Sequence, residues 1–319
     1  MDISIIIVNY NSWVVLDPCI ESILKLNIPL ATEIIVVDNQ STHQLLGLYQ
    51  RKYPAVKWVE NTGNNGFANG CNVGAARAKG HYLLFLNPDT QMNPGVLEHF
   101  VAIYDKEHIG LLSCLQTNNN GTFHKYNLLF PNPLRVFGVF RSLERVFMRK
   151  SLARHFKETA TRSYPDWISG SAIFVSAGNF NLVNQWNEDY WMYFEDVDLC
   201  KRAKSNCLSR VITKEVSLFH LHGGASRVNP ETKAITKSEV IKSRHVYIAH
   251  HFSVSSRQWL SPFLMVTNLL SAGFLALLSF PLFFLRKLKM NRYKFVELWK
   301  YYIFALKNKT WLSRRAIKR

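Results

Sequence analysis

Short apolar runs alternate with segments of helical periodicity along the first third of the chain. Residues 3–8 and 33–37 are rich in β-branched side chains and too short for a helical core, which predicts buried strands. Residues 56–59 and 81–86 predict two further strands, and the segments between the four runs predict helices, the last of them ending near Lys79. This alternation predicts an α/β fold with a mostly parallel central sheet.

Polar clusters follow three of the predicted strands, at residues 9–12, 38–42 and 87–90. In sheets of parallel strands, ligands bind beyond the carboxyl ends of the strands. We therefore expect these three segments, which are distant in the sequence, to converge on one crevice.

Asp38 and Asp89 are the acids of these clusters. A carboxylate at the end of a strand often accepts hydrogen bonds from ribose hydroxyls or a base N–H, as Asp38 would, although Asp38 could also cap the next helix. Asp89 could hold a divalent cation that bridges the phosphates of a nucleotide, because Mg²⁺ and Mn²⁺ prefer oxygen ligands. The alternative is that Asp89 merely shapes a turn after Pro88.

Glu195, Asp196 and Asp198 place three carboxylates within four residues, directly after an aromatic run. Like charges packed beside aromatic side chains raise the pKa of at least one of them, which suits a general base near neutral pH. The alternative is that these acids only stabilise the first turn of a helix predicted over 196–205.

His220 and His222 follow a strand-like run at residues 216–219 and precede two glycines. Alternation along a strand puts both imidazoles on one face, where they could bind a metal or phosphate oxygens. The alternative is a histidine that only satisfies hydrogen bonds of a turn.

Sequence motifs of several other enzyme classes are absent. No GxGxxG follows the first strand, and no GxxxxGK[ST], HExxH or CxxC occurs, so a dinucleotide oxidoreductase, a P-loop enzyme and a zinc site are disfavoured. The five cysteines are expected to be reduced thiols of a cytosolic protein. The start of the chain has no basic region and no cleavage site, so we expect no signal peptide.

The net charge of +17 is concentrated at one end of the chain. After Val240 there are fifteen Lys or Arg residues and one acid, Glu297, so this stretch carries +14 and the rest only +3. A basic tail fits a nucleic acid or an anionic membrane. Because residues 258–285 form an uncharged apolar run of 28 residues beside it, we expect a membrane surface and no nucleic acid.

The flanks of this run bear on its topology. Basic residues lie on both sides, which disfavours a single span, and Ser271-Ala272-Gly273 and Pro281 invite a break. We predict a hairpin or in-plane segment that enters and leaves on the cytoplasmic side, with residues 293–306 as an interfacial helix. A single span and a buried soluble hairpin are the alternatives.

Taken together, these segments resemble the family 2 glycosyltransferases with the GT-A fold, and within them the bacterial rhamnosyltransferase-like branch. Seven stretches match in family order over roughly residues 1–230. They are residues 5–11, 36–42, 64–74, 86–90, 168–172, 193–199 and 220–226.

The resemblance implies roles for individual residues. Asp196 would be the general base, supported by Glu195. Asp89, with His220 or His222, would hold Mg²⁺ or Mn²⁺, and Asn87 stands where many members carry the first acid of the metal motif. The remaining implied contacts are to the nucleotide sugar. They are Asn9, Asn11, Asp38, Asn65, Asn69, Asn87, Trp167, Gly170 and Asp198.

The resemblance also implies a reaction. It is the inverting transfer of a sugar to a hydroxyl of a lipid-linked or cell-surface polysaccharide precursor, at the cytoplasmic face of the inner membrane. The donor that the resemblance favours is dTDP-rhamnose, which would supply L-rhamnose. We predict a GT-A domain over residues 1–235, with a nucleotide-binding half at 1–115 and an acceptor and catalytic half at 116–235, and a membrane-associated helical region at 236–319. A UDP-hexose donor and a non-catalytic membrane scaffold are the alternatives.

Overall fold

The computed structural model describes residues 1–42, 45–124, 128–138, 140, 143, 147, 157–221, 230–281 and 286–317. The chain folds into two compact units. The first comprises Met1–Phe130, Lys150–Asn187 and Glu195–Ala225, and the second comprises Pro131–Arg149, Glu188–Phe194 and Ser226–Arg319. The predicted domain boundary at residue 235 stays a prediction.

The first unit contains a mixed sheet of ten strands within the described residues. The strands are β1 (Ile3–Asn9), β2 (Thr32–Asp38), β3 (Lys57–Glu60), β4 (Tyr82–Leu86), β5 (Thr90–Gln91), β6 (Leu111–Thr117), β7 (Lys157–Glu158), β8 (Arg162–Tyr164), β9 (Ala172–Ser176) and β10 (Arg210–His220). Their order is β3-β2-β1-β4-β9-β6-β10-β8-β7, and β5 pairs with β10. Strands β1, β2, β3, β4, β6 and β10 run in one direction, and β9 lies antiparallel between β4 and β6.

Six helices of the first unit are described. They are α1 (Trp13–Leu24), α2 (Leu46–Lys52), α3 (Phe67–Ala75), α4 (Val96–Tyr104), α5 (Ala177–Leu182) and α6 (Glu195–Ser205). The four predicted strands and the alternation with helices are confirmed. The prediction that the third helix reaches Lys79 is wrong, because the chain tightens after Ala75, where Arg77 N donates to Gly74 O at 3.0 Å.

Strand β1 carries the core on both faces of the sheet. Ile5 and Ile7 belong to the same buried cluster as Leu16 of α1, and both are fully buried. On the other face, α3 approaches β1 so closely that a Cβ on Gly74 would lie 2.5 Å from Ile6 Cγ2. Alternation along an apolar strand therefore gives each face its own helical layer, which leaves the carboxyl ends of the strands for polar residues.

The second unit is helical. Its described helices are α7 (Pro230–His251), α8 (Val254–Leu278), α9 (Arg286–Lys307) and α10 (Arg314–Ile317). Helices α8 and α9 pack as an antiparallel pair, since Asn268 Nδ2 donates to Tyr302 Oη at 3.2 Å and Arg292 Nε donates to Ser279 Oγ at 2.5 Å.

Helix α8 is continuous, so the predicted break at Ser271-Ala272-Gly273 is wrong. Ala272 is buried, and a Cβ on Gly273 would lie 3.3 Å from the ring of Phe295 in α9. The small residues thus allow α9 to pack closely against α8, and they do not interrupt α8. By length and composition, Val254–Leu278 could cross a membrane, with a mean hydropathy of 1.7 in its most apolar window. The predicted helix at residues 293–306 is confirmed as part of α9.

A buried charge cluster joins three helices of the second unit. Glu239 of α7 is fully buried and accepts hydrogen bonds from Lys242 Nζ at 2.7 Å and from Arg315 of α10 at 2.9 Å. Glu297 of α9 also faces these two cations. Because the buried charges are paired, the cluster holds α7, α9 and α10 in one arrangement.

Candidate active site

Asn9 and Asp38 meet at the carboxyl ends of β1 and β2, where the two residues are register partners. Asn9 Nδ2 donates to Asp38 Oδ1 at 2.8 Å, and the Asp38 carboxylate also accepts from Ser41 N at 2.9 Å and from Ser41 Oγ at 2.5 Å. Asp38 is buried, with 3% of its surface exposed. Its oxygens therefore fix the loop after β2, and that loop joins the loop after β1.

Asn11 and Thr42 complete the junction between these two loops. Asn11 has a positive φ of 52°, a conformation that asparagine tolerates, and Asn11 Oδ1 accepts from Thr42 N at 3.0 Å. The polar segments 9–12 and 38–42, which the sequence analysis expected to converge, are thus in direct contact. We call these two joined loops the first cluster.

A chain of amides continues along the same edge of the sheet. Asn61, after β3, donates to Asn39 Oδ1 at 2.9 Å and to Asn69 Oδ1 at 2.8 Å, and Asn39 donates to Gly66 O at 2.9 Å. Asn69 thus belongs to this chain of amides, and its predicted contact with a nucleotide sugar stays a prediction. Sequence reasoning did not single out Asn39 and Asn61, although Asn39 stands beside Asp38 in a matched stretch.

Asp89 and His220 form the second cluster. Asp89 follows β4, His220 ends β10, and both are buried. His220 Nε2 lies 3.3 Å from Asp89 Oδ1. The antiparallel pairing of β5 with β10 produces this contact, because it sets His220 opposite Thr90. His222 lies outside the described residues.

The other ring nitrogen of His220 contacts Gln116. His220 Nδ1 lies 2.8 Å from Gln116 Oε1, which also accepts from Ser171 Oγ at 2.9 Å. An amide oxygen only accepts hydrogen bonds, so with the amide in this orientation Nδ1 carries a proton, and in the neutral imidazole this leaves the lone pair on Nε2. Nε2 then presents its lone pair to the side occupied by Asp89.

The third cluster surrounds Asp196 in the first turn of α6. Asp196 Oδ2 accepts from Gly170 N at 3.0 Å, and Oδ1 accepts from Val197 N at 2.8 Å. Burial raises the pKa of Asp196 above its usual value, although these backbone donors oppose that rise. Gly170 is thereby in contact with Asp196, and two residues of the predicted site lie together.

Glu195 and Asp198 flank Asp196 with different environments. Burial, followed by repulsion from Asp196 and Asp198, raises the pKa of Glu195 well above its usual range. Asp198 is buried and accepts from Arg202 Nε at 2.7 Å within the same helix. Asp198 therefore secures the helix that carries Asp196, and its predicted contact with a nucleotide sugar stays a prediction.

Asn65 and Trp167 bond to their own surroundings. Asn65 Nδ2 donates to Thr62 Oγ1 at 3.3 Å, and Trp167 Nε1 donates to Leu129 O at 3.1 Å. Among the described contacts, neither side chain is joined to the three clusters. Their predicted roles at the nucleotide sugar stay predictions.

The turn at residues 169–171 connects the second and third clusters. Gly170 N bonds to Asp196, Ser171 Oγ bonds to Gln116, and Ser171 O accepts from Asn87 N at 2.9 Å. Asn87 begins the loop that carries Asp89, and β4 is separated from β2 only by β1. With strands about 4.8 Å apart, the loops after β2 and β4 are about 10 Å from each other across the sheet.

A sequence model of glycosyl transferase family 2 matches residues 4–167, slightly more than half of the 319 residues. The chain belongs to glycosyl transferase family 2. The family and the class of enzyme predicted from the sequence, a glycosyltransferase, are confirmed by this match.

This family 2 member is similar to rhamnosyltransferases, as predicted. It is 27% identical to rhamnosyltransferase WbbL of Escherichia coli (strain K12), with 71% of this chain and 86% of WbbL covered. It is 25% identical to the N-acetylglucosaminyl-diphospho-decaprenol L-rhamnosyltransferase of Mycobacterium tuberculosis, with 61% and 69% covered. Identity is also 25% to the low-salt glycan biosynthesis hexosyltransferase Agl10 of Haloferax volcanii, but the match covers only 64% of this chain and 62% of Agl10.

Solved structures of other glycosyltransferases share the fold. Staphylococcus aureus TarS 1–349 aligns with a TM-score of 0.51 at 15% identity, over 97% of this chain and 92% of that one. GalNAc-T7, crystallised with UDP, GalNAc and Mn²⁺, aligns with a TM-score of 0.57 at 15% identity, over 80% and 52%. The GT-A part of the predicted fold class is thereby confirmed, whereas membrane association of the C-terminal helices stays a prediction.

The surroundings of Asp89 and His220 in this family 2 enzyme fit a divalent cation. A carboxylate oxygen and an imidazole lone pair face each other at 3.3 Å, and the tautomer is fixed from behind by Gln116. Among the described residues, no group of three or more His, Cys, Asp or Glu could hold a metal. Two protein ligands suit Mg²⁺ or Mn²⁺ bound together with substrate phosphates, because these ions keep few protein carboxylates.

Proposed function

We propose that the protein is an inverting glycosyltransferase that transfers a sugar from a nucleotide sugar to an acceptor hydroxyl. The observation that carries the proposal is the turn at residues 169–171. Through Gly170 it holds Asp196, and through Ser171 and Gln116 it holds His220 beside Asp89. One short segment thus holds both Asp196, whose pKa is raised, and the pair of Asp89 and His220, which would bind the cation beside the diphosphate.

Asp196 acts as the general base in this mechanism. It takes the proton of the acceptor hydroxyl, whose oxygen attacks the anomeric carbon from the face opposite the diphosphate, and the bond from that carbon to the diphosphate oxygen breaks. A pKa raised by burial suits this role, because a stronger base accepts the proton more readily near neutral pH. Glu195 is buried next to Asp196, and burial together with the neighbouring carboxylates raises its own pKa well above the usual range.

Asp89 and His220 would hold Mg²⁺ or Mn²⁺, whose charge neutralises the leaving diphosphate. Asn9, Asn11 and Asp38 shape the nucleoside end of the site through the joined loops after β1 and β2. Asn69 and Asn87 contribute amides along the same edge.

The similarity to rhamnosyltransferases supports dTDP-L-rhamnose as the donor. The name of the mycobacterial relative includes a diphospho-decaprenol, which supports a lipid-linked acceptor for this chain as well. A UDP-hexose is the second candidate donor, because the fold is also that of TarS, which was crystallised with UDP-GlcNAc.

Turnover of purified protein tests the proposal. With dTDP-rhamnose and UDP-hexoses as donors and a diphospho-lipid-linked sugar as acceptor, Asp196→Asn should bind donor normally and lose transfer by about 10²–10⁴-fold, the usual contribution of a general base. Glu21→Gln, which removes an exposed carboxylate of α1, is the matched control. Near-normal transfer by Asp196→Asn would remove Asp196 from the base role, and a wild type inactive with every donor would favour a non-catalytic scaffold.

We also propose that α8 and α9 lie on the cytoplasmic surface of the inner membrane. Exposed apolar side chains recur every three or four residues along α8, and a second row lies on α9. They are Trp259, Phe263, Val266, Leu270, Phe274 and Leu277 on α8, and Val296, Trp299, Ile303 and Leu306 on α9. Such rows, with basic residues beside them, are typical of helices that bind an anionic membrane surface.

The charges within α9 favour an in-plane position over a crossing. Glu297 and Lys300 lie near the middle of α9, and α8 is packed along this helix through Asn268 and Tyr302. If α8 crossed the bilayer, α9 would carry its charges into the hydrocarbon layer, which costs several kcal/mol. An in-plane pair can bury its apolar rows in the membrane while Lys300 stays in water and Glu297 stays paired with Lys242 and Arg315.

A further inference from the structure

We propose that Gln116 is a positioning residue that holds His220 in the tautomer able to bind a divalent cation, and that Ser171 holds Gln116. The inference rests on the proposed metal site at Asp89 and His220. Neither Gln116 nor Ser171 would touch the cation or the substrate, so both act through His220.

The geometry of Gln116 leaves its side chain little freedom. It projects from β6, next to β10 in the sheet, and only 8% of its surface is exposed. Its Oε1 accepts two hydrogen bonds, from His220 Nδ1 at 2.8 Å and from Ser171 Oγ at 2.9 Å. Ser171 is itself buried and lies 3.0 Å from Ser169 Oγ.

This arrangement decides which nitrogen of His220 carries the proton. With Gln116 as acceptor, the proton of the neutral imidazole sits on Nδ1, and the lone pair on Nε2 can coordinate a cation. Without it, the proton moves to Nε2, because Asp89 Oδ1 lies only 3.3 Å away and accepts it in a hydrogen bond. A proton between Asp89 and His220 occupies the place of the cation.

Ser171 extends the same control to the other metal ligand. Its carbonyl oxygen accepts from Asn87 N at 2.9 Å, and Asn87 starts the loop that carries Asp89. Ser171 thus acts on both proposed metal ligands. Its backbone carbonyl holds the loop that carries Asp89, and its hydroxyl holds His220 through Gln116. Outer groups that orient metal-binding histidines typically contribute 10–100-fold to affinity.

Mn²⁺ binding and the tautomer of His220 test the inference separately. Gln116→Met keeps the length of the side chain and removes the acceptor, so Mn²⁺ affinity, measured by electron paramagnetic resonance with UDP or dTDP present, should fall about 10–100-fold. In metal-free protein, ¹⁵N chemical shifts of His220 should show protonated Nδ1 in the wild type and protonated Nε2 in the variant. Gln116→Glu keeps an acceptor and should retain the tautomer and most of the affinity.

The matched control is Ser113→Ala, which removes another buried hydrogen bond of β6, from Ser113 Oγ to Ala172 O at 2.7 Å. It should leave both readouts unchanged. Unchanged affinity and tautomer in Gln116→Met would overturn the role of Gln116 while the metal site stands. A folded wild type that binds no Mn²⁺ with either nucleotide would instead overturn the metal site of the proposed function. If Gln116→Met does not fold, Gln116→Leu, which also removes the acceptor, decides the same question: a retained Nδ1 proton there would overturn the role of Gln116.

Discussion

Glu195 is buried beside two other carboxylates, and its Oε2 has no hydrogen-bond partner among the described residues. An unpartnered buried oxygen is costly when it is charged and less so when it carries a proton. Burial and the neighbouring Asp196 and Asp198 therefore raise the pKa of Glu195 well above its usual range. Glu195 therefore lowers the stability of the folded protein next to Asp196, the proposed general base.

Glu195→Gln should flatten the pH dependence of stability. The folded wild type keeps the proton of Glu195 at pH values where the unfolded chain, with a pKa near its usual 4.5, has released it. The folded state then binds more protons, so the free energy of unfolding falls as the pH rises from about 4.5 toward the raised pKa. Thermal unfolding of the wild type between pH 5 and 8 should show this fall, and Glu195→Gln should show less of it.

Glu98→Gln is the control for this comparison, since Glu98 is a partly exposed acid in the first turn of a different helix, α4. Its pH dependence should match that of the wild type. Equal slopes for the wild type and Glu195→Gln would contradict a raised pKa of Glu195 in the folded protein.

The sequence analysis identified candidate site residues that have a reactive side chain or lie in a stretch that matches the family. It missed residues that would act on the site only through another side chain. Asp38, Asp89 and Asp196 stand out as acids after apolar runs, and the structure finds each in a polar network. Gln116 has no such mark, because it is one polar residue in an ordinary strand, and its role follows only from the pairing of β6 with β10. Asp38 was expected to bind a ligand, but its described hydrogen bonds hold the loop itself.

At the level of elements, α3 lies against β1 and β2 through two glycines one turn apart. A Cβ on Gly70 would lie 2.7 Å from Val8 Cγ1, and one on Gly74 would lie 2.5 Å from Ile6 Cγ2. Both distances are shorter than van der Waals contact, so only glycine permits this approach. The helix begins at Phe67, near the ends of β1 and β2, and its position sets Asn69 beside Asn61.

Gly74→Ala should destabilise the first unit by about 1–3 kcal/mol, the usual cost of overpacking a core. The loss should exceed the gain of up to about 1 kcal/mol in helix propensity. Gly47→Ala in α2, where a Cβ would meet nothing within 4 Å, is the matched control and should be neutral or stabilising. Denaturant unfolding measures both, and a Gly74→Ala protein as stable as Gly47→Ala would show that α3 shifts without cost.

Helices and strands with a clear local pattern of apolar residues were predictable from the sequence. Features that depend on a neighbour distant in the sequence were not. Strands β1 to β4 follow from short apolar runs between turn residues. The continuity of α8 does not, because Gly273 reads as a helix breaker until the ring of Phe295 is known to pack against it. Strand β9 inserts antiparallel between β4 and β6, a pairing that no local pattern at residues 172–176 indicates.

For the whole molecule, the distribution of charge matters more than its total. Residues after Val240 carry +14 of the net +17, and this stretch includes the exposed apolar rows of α8 and α9. Basic charge attracts an anionic surface from a distance, and apolar side chains bind it on contact. The combination predicts a protein that prefers anionic to neutral membranes and is only partly released by salt.

Vesicle flotation tests this prediction with the full chain. Wild-type protein should float with vesicles that contain anionic lipid and bind neutral vesicles less. Leu270→Ser with Phe274→Ser removes two side chains that are 69% and 63% exposed, and binding should weaken at least about tenfold, since each apolar side chain contributes about 1.5–3 kcal/mol on burial. Leu182→Ser on α5, which removes a side chain that is 56% exposed, should bind as the wild type does.

Extraction at alkaline pH separates an in-plane position from a crossing. An in-plane pair is held by its apolar rows and by surface charge, so alkaline buffer should release it from native membranes, whereas a helix that crosses the bilayer stays in the pellet. The charges in the middle of α9 make release the expected outcome, because they have no place in the hydrocarbon layer. Two results together would contradict the in-plane position: wild-type protein that stays in the membrane pellet, and a Leu270 and Phe274 variant that floats as the wild type does. They would mean that α8 crosses the membrane and that its exposed row is not an interfacial surface.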